Sequence, residues 1–483
     1  MKNFASKRSV FDLTHERKLS CDMGKLVPIM CEEVVPGDTF RTKTEMLIRI
    51  SPMLAPVMHR INAFTHFFFV PTRLLQTNWE SFISGGVDGA DATAIPTISS
   101  GGSGQAAGTL WDYFGLPTGV ANLSVVAYPF RAYNLIYNEW YRSQSLQSKV
   151  AVSLGDGADT TTAIDLRTRN WEKDYFTSAL PWPQRGPAVT LPLGTSAPVL
   201  GIGKQTQSFV SGSQAVYESD GTSSTYTKYR QIADSGVDVN FYVEGNDAGT
   251  YPNIRADLSN ATAATINAIR QAFQLQRWME KNARGGARLT EVIRAHFGVA
   301  PADYRLQRPE FLGGGRSPIV VSEVIQTTAT GITGGSTALG TLAGHGFSAQ
   351  ASHEFTKSFT EHGYIIGIMS IMPRTAYYQG APRMWNRTSR LDFYWPEFAN
   401  LGEQGILNKE IYAAHSSPTG IFGYAPRYEE YRQRESSFHG DFRGSLDYWH
   451  MGRKFSGEPA LNSAFVTSDP TKRINAVTNA HNC

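Results

Sequence analysis

The run YIIGIMSIM (Tyr364–Met372) stops at Pro373. It is far short of the roughly 20 apolar residues that span a bilayer. Its β-branched content and the closing proline argue against a helix. The run reads as a strand buried on both faces. The chain then changes character. Between Arg374 and Leu391 come Arg374, Arg383, Arg387 and Arg390, with Tyr377, Tyr378 and Trp385 and no acid. A buried strand feeding an arginine–aromatic loop describes a rigid scaffold that presents an adhesive surface. Protein interfaces and single-stranded nucleic-acid platforms both favour these residue types.

The rest of the chain agrees with a β scaffold. Its 45 glycines and 24 prolines are spread over 483 residues instead of gathering in one linker. Many turns between short strands look like this, and a helical bundle does not. Val34-Val35 lead into Pro36-Gly37-Asp38, where Pro sets one torsion and Gly relieves the next. After that turn Thr42, Thr44, Met46, Ile48 and Ile50 alternate with Arg41, Lys43, Glu45, Leu47 and Arg49, a strand with one wet face. FTHFFFV (Phe64–Val70) is apolar on both sides and ends at Pro71. His66 within it reads as a core histidine with a backbone partner, because no Cys, carboxylate or second His is spaced to complete a metal site.

Two regions read as helical. PFRAYNLIYNEWYR (Pro129–Arg142) has Pro near its start and Tyr133, Ile136, Tyr137 and Trp140 on one face, a packing stripe. Between Ser259 and Gly298, Ile266, Ile269, Ala272, Phe273, Leu275 and Met279 cover one side of a helix that Ser259 or Thr262 can cap. Gly285-Gly286 breaks it, and a second helix, Leu289–Phe297, ends at Gly298. The next strand is placed at Ile319–Ile325, and Ile95–Gly108 and Thr327–Gly346 read as glycine-rich loops. Gly186–Asp257 has weak periodicity and reads as a long insertion, partly β, outside the main core. The chain thus divides into a basic arm over 1–25, first strands and loops over 26–185, the insertion over 186–257, and a last part over 258–483 with the helical insertion, remaining strands and tail.

A net charge of +3 forces no nucleic-acid reading, so any basic surface must be local. The candidates are the two ends. Lys2, Lys7, Arg8, Arg17 and Lys18 crowd the first residues, and Lys472 and Arg473 stand near the last, with no acid after Asp469. Such ends either contact a polyanion or fray in solvent. Cys21, Cys31 and Cys483 form no CxxC pair, so neither a disulfide framework nor a cysteine zinc site is expected, and a reducing place of synthesis fits. No apolar leader opens the chain. No catalytic constellation stands out: His353-Glu354 lacks the second His of HExxH, and neither Ile95–Gly108 nor Gly201–Lys204 completes a phosphate loop. No catalytic residue, metal or cofactor is assigned. An all-β chain rich in Trp and Tyr would also suit a secreted-type carbohydrate-active enzyme, which needs two facing carboxylates beside stacking aromatics. A bacterial surface β-protein would need an export signal.

Longer stretches are more specific. They are SVFDLTHERK (Ser9–Lys18), VVPGDTF (Val34–Phe40), HFFFVPTRLL (His66–Leu75), PFRAYNLIYNEWYR, FQLQRWMEKNARGGARLTEVIRAHFGV (Phe273–Val299), RLQRPEFLGG (Arg305–Gly314), EHGYIIGIMSI (Glu361–Ile371) and RLDFYWPEFANLGEQGILNKEIY (Arg390–Tyr412). In these, over nearly its whole length, the chain resembles the major capsid proteins of the microviruses, small phages with circular single-stranded DNA, and is most similar to the gokushovirus branch. Gly186–Asp257 and Thr327–Gly346 match least.

The resemblance implies a mainly β fold, an eight-stranded antiparallel jelly roll with long loop insertions and a few short helices. It implies about sixty copies in a T=1 icosahedral shell around the DNA, as closed symmetry requires of the simplest such lattice. It implies assembly in the bacterial host cytoplasm, residence in the virion and no membrane insertion. The implied partners are an internal scaffolding protein, a DNA pilot protein and a host surface receptor, with Gly186–Asp257 forming a protrusion that touches the host. On this reading Lys2, Lys7, Arg8, Arg17, Lys18, Lys472 and Arg473 meet DNA. Arg374, Tyr377, Tyr378, Arg383, Trp385, Arg387 and Arg390 sit at subunit contacts, where arginine can pair with a neighbour's carboxylates. The low charged fraction, 18%, and 12% aromatics fit subunits that bury surface in one another.

Overall fold

The computed structural model describes residues 9–190, 199–200, 255–256, 265–327, 340–478 and 480–483. The chain forms two compact units, Met1–Arg185 with Glu280–Cys483, and Gly186–Met279. Most of the expected insertion lies outside the described residues, as do Lys2, Lys7, Arg8 and the candidate caps Ser259 and Thr262. In chain order the strands are β1 (Val27–Val34), β2 (Thr39–Arg49), β3 (Ile61–Pro71), β4 (Thr97–Ser99), β5 (Ser124–Val126), β6 (Val199–Leu200), β7 (Arg255–Ala256), β8 (Glu310–Ile325), β9 (Leu342–Ser358), β10 (Gly363–Pro373), β11 (Glu403–Leu407) and β12 (Ile421–Pro426). The α-helices are α1 (Trp79–Ser84), α2 (Leu110–Tyr113), α3 (Tyr128–Ile136), α4 (Ile266–Gly285), α5 (Leu289–Phe297), α6 (Asn408–Ile411) and α7 (Ser463–Val466).

The protein is mostly β, with one large sheet in the order β1-β10-β3-β8-β9-β2. Every pairing in it is antiparallel. β10 is the expected buried strand, and it lies between β1 and β3. Ile366 and Ile368 face one apolar cluster, with Phe68 and Val70 of β3 and Leu110, Trp111, Phe130 and Tyr133 from α2 and α3. Ile365 faces another, with Phe67 and Phe69 of β3 and Phe355 of β9. β2 alternates as its sequence does, with Arg41, Lys43, Glu45, Leu47 and Arg49 exposed.

The order carries a geometric consequence. β1 and β2 are the two outer strands, yet only Val35–Asp38 separates them. That link is a tight turn, in which Gly37 has φ 92°, Asp38 N–H donates to Val35 O at 3.0 Å and Val35 N–H donates to Asp38 Oδ2 at 3.2 Å. Fully stretched, the five Cα steps from Val34 to Thr39 reach about 18 Å. A flat sheet of this order would hold its outer strands about 24 Å apart. The sheet therefore curls until its edges approach. The curl has an inside: the rings of Phe67 on β3 and Phe355 on β9 meet at 5.3 Å although β8 runs between those strands.

The glycines of β8 make that contact possible, and they are where the sequence misleads. The strand begins at Glu310, not Ile319, and runs through Gly313-Gly314-Gly315. A Cβ on Gly314 would collide with Thr65 O, and one on Gly313 would lie 3.1 Å from Glu354 O. Bare backbone is required there because neighbouring strands close over it. Two loop expectations are corrected in the same way: β9 begins at Leu342, inside the expected Thr327–Gly346 loop, and β4 falls inside Ile95–Gly108.

The helical expectations hold at α3, whose stripe packs into the core, and at α5, which ends at Gly298 with φ 71°. α4 is capped by Thr265, whose Oγ1 accepts from Ala268 N–H at 3.1 Å. The tail is not frayed. Cys21 and Cys483 exchange backbone hydrogen bonds at 3.0 and 3.1 Å, and Asn482 Oδ1 accepts from Met23 N–H at 2.8 Å. His66 bonds the Tyr141 hydroxyl at 2.7 Å, a side-chain partner in addition to anything the backbone offers.

A buried ion pair fastens the long excursion between β3 and β8. Arg131 and Asp159 are both fully buried, 2.8 Å apart. Arg131 also donates to Leu75 O at 2.7 Å and Gly155 O at 2.9 Å, while Asp159 accepts from Thr161 N–H, Thr162 N–H and Thr162 Oγ1–H. Each charge is satisfied on nearly every side, which is the condition for such a pair to survive burial. Removing one partner strands the other: Asp159→Ala lowers unfolding stability by about 3–5 kcal/mol. Urea titration of the purified chain reads this, and a loss below about 1 kcal/mol would show that water reaches Arg131.

Candidate nucleic-acid and assembly surfaces

Separate stretches of the first unit meet at a cleft of about 1010 Å³. β3 supplies His66 and Phe68, two residues apart and so on one face of the strand. β8 supplies Phe311 and Arg316. Their odd spacing would put them on opposite faces, but Phe68 pairs with Phe311 while Phe67 pairs with Gly313. Leu312 is the extra residue of a bulge, and the bulge returns Phe311 and Arg316 to the same face. Trp140 and Tyr141 follow α3, Arg374 follows β10, and Arg169, Trp171 and Lys173 lie on the chain beyond the Arg131–Asp159 anchor. Arg432, Arg434 and Glu435 complete the wall.

The cleft is cationic and aromatic. Arg142, Arg169, Lys173, Arg288, Arg316, Arg374, Arg432 and Arg434 line it against Glu172, Asp174 and Glu435. Some cations are already engaged: Arg288 pairs with Glu139 at 3.6 Å and Glu291 at 2.9 Å, and Arg432 with Glu429 at 3.7 Å. Asp174 is engaged too, accepting from Phe176 and Thr177 N–H and from the Tyr377 hydroxyl. Arg169 lies 4.0 Å over the Phe64 ring and donates to Ser370 Oγ at 2.8 Å, and burial pulls its pKa below the ordinary arginine value. The side chains of Arg316, Arg374 and Arg434 make no ion pair or hydrogen bond among the described residues, although Arg374 lies near enough to Glu435 to act on its charge. The buried Nε1–H of Trp171 has no partner there either. Burial and the neighbouring Asp174 push the Glu435 carboxyl up to about 7, against the pull of the Tyr175 N–H bond and Arg374. The arrangement can take phosphates on unsatisfied guanidinium groups and flat bases on aromatic faces.

The expected interface loop divides into a fastened part and an open part. Tyr377 and Tyr378 are buried in the chain itself. Arg383 donates to Glu410 Oε1 at 3.0 Å and Gly405 O at 2.7 Å. Arg383 and Arg387 both approach Glu430 at 3.7 Å, and Arg387 lies 4.7 Å over the Tyr431 ring. Both arginines are thus paired with carboxylates of their own chain. Burial raises the Glu410 carboxyl above its ordinary value. Trp385 and Arg390 are exposed, and Met384, Leu391, Phe393, Tyr394 and Trp395 extend the apolar surface around them. Of the basic ends, Arg17 and Lys18 lie on an exposed stretch without regular structure. Lys472 pairs with Asp22 at 2.8 Å, and Arg473 donates to Asp447 O, His450 O and Gly452 O, a strut inside the fold. Sequence reasoning singled out Arg374 as a subunit-contact residue, whereas the structure sets it in this cleft, and it missed Arg169, Trp171, Arg316 and Arg434, each solitary in its own stretch.

A curled antiparallel sheet, an exposed aromatic loop and a cationic cleft suit a structural protein. The comparisons agree, and the class is that of phage capsid proteins. The chain belongs to the capsid protein (F protein) family, whose model matches residues 1–481. It is 42% identical to capsid protein VP1 of Bdellovibrio phage phiMH2K, over 98% of this chain and 90% of that protein. It is 38% identical to capsid protein VP1 of Chlamydia phage 1 (98% and 91%) and 34% identical to capsid protein VP1 of Spiroplasma virus 4 (96% and 88%). These relatives are gokushoviruses. The chain is a structural major capsid protein, a component of the virion and not an enzyme. Among the described residues no helix is long and apolar enough to cross a membrane.

The two parts of the loop respond differently to substitution. Arg383→Met leaves Glu410 buried with fewer partners and lowers stability by about 1–3 kcal/mol. Trp385→Ala, at an exposed site, changes it by less than about 0.5 kcal/mol. Denaturant unfolding of both variants checks the pair, and a large loss for Trp385→Ala would place that ring in the fold and not on a contact surface.

Proposed function

We propose that the curled sheet is completed into an eight-stranded jelly roll and that about sixty copies close into an icosahedral shell around circular single-stranded DNA. The cleft lined by Arg169, Arg316, Arg374 and Arg434 holds a length of that DNA, with Arg17, Lys18 and the residues before them adding phosphate contacts. The observation that carries this reading is that Arg316, Arg374 and Arg434 are exposed and make no ion pair among the described residues, Arg374 only feeling the nearby Glu435, beside Trp140, Trp171 and Phe311. Unneutralised guanidinium groups in a cleft favour an anionic occupant, and stacking faces favour one with unpaired bases. Trp385, Arg390 and the aromatics after them cover a neighbouring subunit. Gly186–Asp257 forms the surface protrusion that touches a host receptor. An internal scaffolding protein and a DNA pilot protein take part in assembly.

Replacing Arg316, Arg374 and Arg434 together by alanine should yield shells that contain less DNA. The ratio of DNA to protein in purified particles reads this, and an unchanged ratio would remove the cleft from the genome-facing surface. With oligo-dT and the purified chain, the same variant should flatten the plot of log affinity against log salt by about 2, since each phosphate contact on a single strand contributes about 0.7.

Glu435 adds a pH dependence. Its carboxyl is raised from 4.5 to about 7, so the folded chain holds the proton more tightly than the unfolded chain. The stability it contributes is complete below about 4.5 and is lost as pH rises through about 7. Over the same range its negative charge appears between Asp174 and Arg374. Oligo-dT binding should therefore weaken from pH 6 to pH 8, and Glu435→Gln should bind at pH 8 as the native chain does at pH 6. Fluorescence anisotropy decides this, and a Glu435→Gln variant with the native pH profile would assign the titration elsewhere.

A further inference from the structure

The root of the exposed arm and the last residues of the chain run side by side. Cys21 N–H donates to Cys483 O at 3.0 Å, and Cys483 N–H donates to Cys21 O at 3.1 Å. Residues that exchange both bonds form a hydrogen-bonded antiparallel pair, with Cα atoms about 5.5 Å apart and side chains on the same face. Cysteines joined by a disulfide most often have Cα atoms about 5.5–6 Å apart. Opposed Cβ atoms in such a ladder lie about 4.5–5.5 Å apart. A disulfide needs about 3.5–4.5 Å, so the ladder has to tighten by about 1 Å.

The register is held from both sides. Asn482 Oδ1 accepts from Met23 N–H at 2.8 Å, Asn482 O accepts from Ser51 N–H at 3.1 Å, and Ser20 Oγ meets His481 Nδ1 at 2.9 Å. Both sulfur-bearing side chains pack into the cluster formed with Met23, Ile50 and Ile474. Cys31, in β1, packs against the cluster on the face of α3. All three thiols are free, and burial pushes that of Cys21 up to about 12. Burial and the adjacent Cys21 push the Cys483 thiol higher still.

We propose that Cys21 and Cys483 are a modification site: they close into an intrachain disulfide by exchange with a small-molecule disulfide such as oxidised glutathione. One protein thiolate attacks the S–S bond of the reagent, forms a mixed disulfide and expels one small thiolate. The second protein thiolate then attacks the protein-side sulfur of that mixed disulfide and expels the other. The two protein thiols are oxidised to one disulfide, the reagent is reduced to two thiols, and the two protons pass to the departing thiolates. Thiolate is scarce at such depressed acidity, so the exchange is slow. The site stays open in reducing surroundings and closes in oxidising ones. Once closed, it ties the root of the Ser9–Ser20 arm covalently to the tail.

The purified chain, incubated with excess oxidised glutathione at pH 8.5 and digested without reduction, tests this. The expected product is a single peptide pair joined through Cys21 and Cys483, with two of the three free thiols lost and both recovered by dithiothreitol. Cys31→Ser should form the same linked pair, and Cys483→Ser should not. The thermal midpoint of the native chain should rise on oxidation, while that of Cys483→Ser should not move. If Cys483→Ser fails to fold, the linked mass from the native chain and from Cys31→Ser still decides. A link through Cys31, two separate glutathione adducts without a link, or three thiols persisting through the incubation would each overturn the proposal.

Discussion

The pairing of β3 with β10 is the constraint on which the rest of the first unit depends. The two strands run antiparallel from Gly363 opposite Pro71 to Pro373 opposite Ile61, and neither has a wet face. Phe67, Phe68, Phe69, Ile365, Ile366 and Ile368 are all at most 2% exposed. Removing each such side chain from water stabilises the fold by about 1.5–3 kcal/mol. That gain requires cover on both sides. One side is covered by the sheet curling on itself, with Phe355 of β9 reaching Phe67. The other is covered by α2 and α3, which belong to the long excursion between β3 and β8. The excursion is therefore part of the core, and the fully buried Arg131–Asp159 pair is the fastening that keeps it there.

The elements legible in the sequence are those in which side chains alone set the burial. β2 alternates, β3 and β10 carry apolar residues on both faces, and α5 ends at a glycine with positive φ. β8 is illegible for the opposite reason. Its Gly313-Gly314-Gly315 run carries no side chains to form a pattern, and it is a strand because Thr65 and Phe355 close over it. The tail failed as a frayed end because its hydrogen bonds are with Cys21, Met23 and Ser51, more than 400 residues away in sequence. The cleft was not legible: Arg374 stood out in the sequence, but as a subunit-contact residue. Arg316 joins it through a one-residue bulge, and no local residue preference announces that bulge.

Arginine does several unlike jobs in this chain, and composition cannot sort them. Arg131 is neutralised at zero exposure, Arg473 is bound to three carbonyl groups, and Arg383 and Arg387 share Glu430. In each case burial demands partners, because an uncompensated buried guanidinium is far more costly than an exposed one. Arg316, Arg374 and Arg434 are exposed, and among the described residues they make no ion pair. The net charge of +3 averages over both kinds and so conceals a locally unbalanced cleft. The useful quantity is the number of acceptors within reach of each guanidinium, which only the fold determines.

The same reasoning bears on the loop after β10. Met384, Trp385, Leu391, Phe393, Tyr394 and Trp395 are 45–74% exposed, a concentration of large exposed apolar residues within one short loop. Flexible loops can carry such residues, but they lose conformational freedom when a partner orders them. Here the chain orders the loop by itself. Arg383 and Arg387 hold the loop to Glu410 and Glu430, and Trp395 Nε1–H donates to Arg390 O at 2.8 Å. On the proposed assembly reading, these arginines keep the aromatic rings presented to a neighbouring subunit.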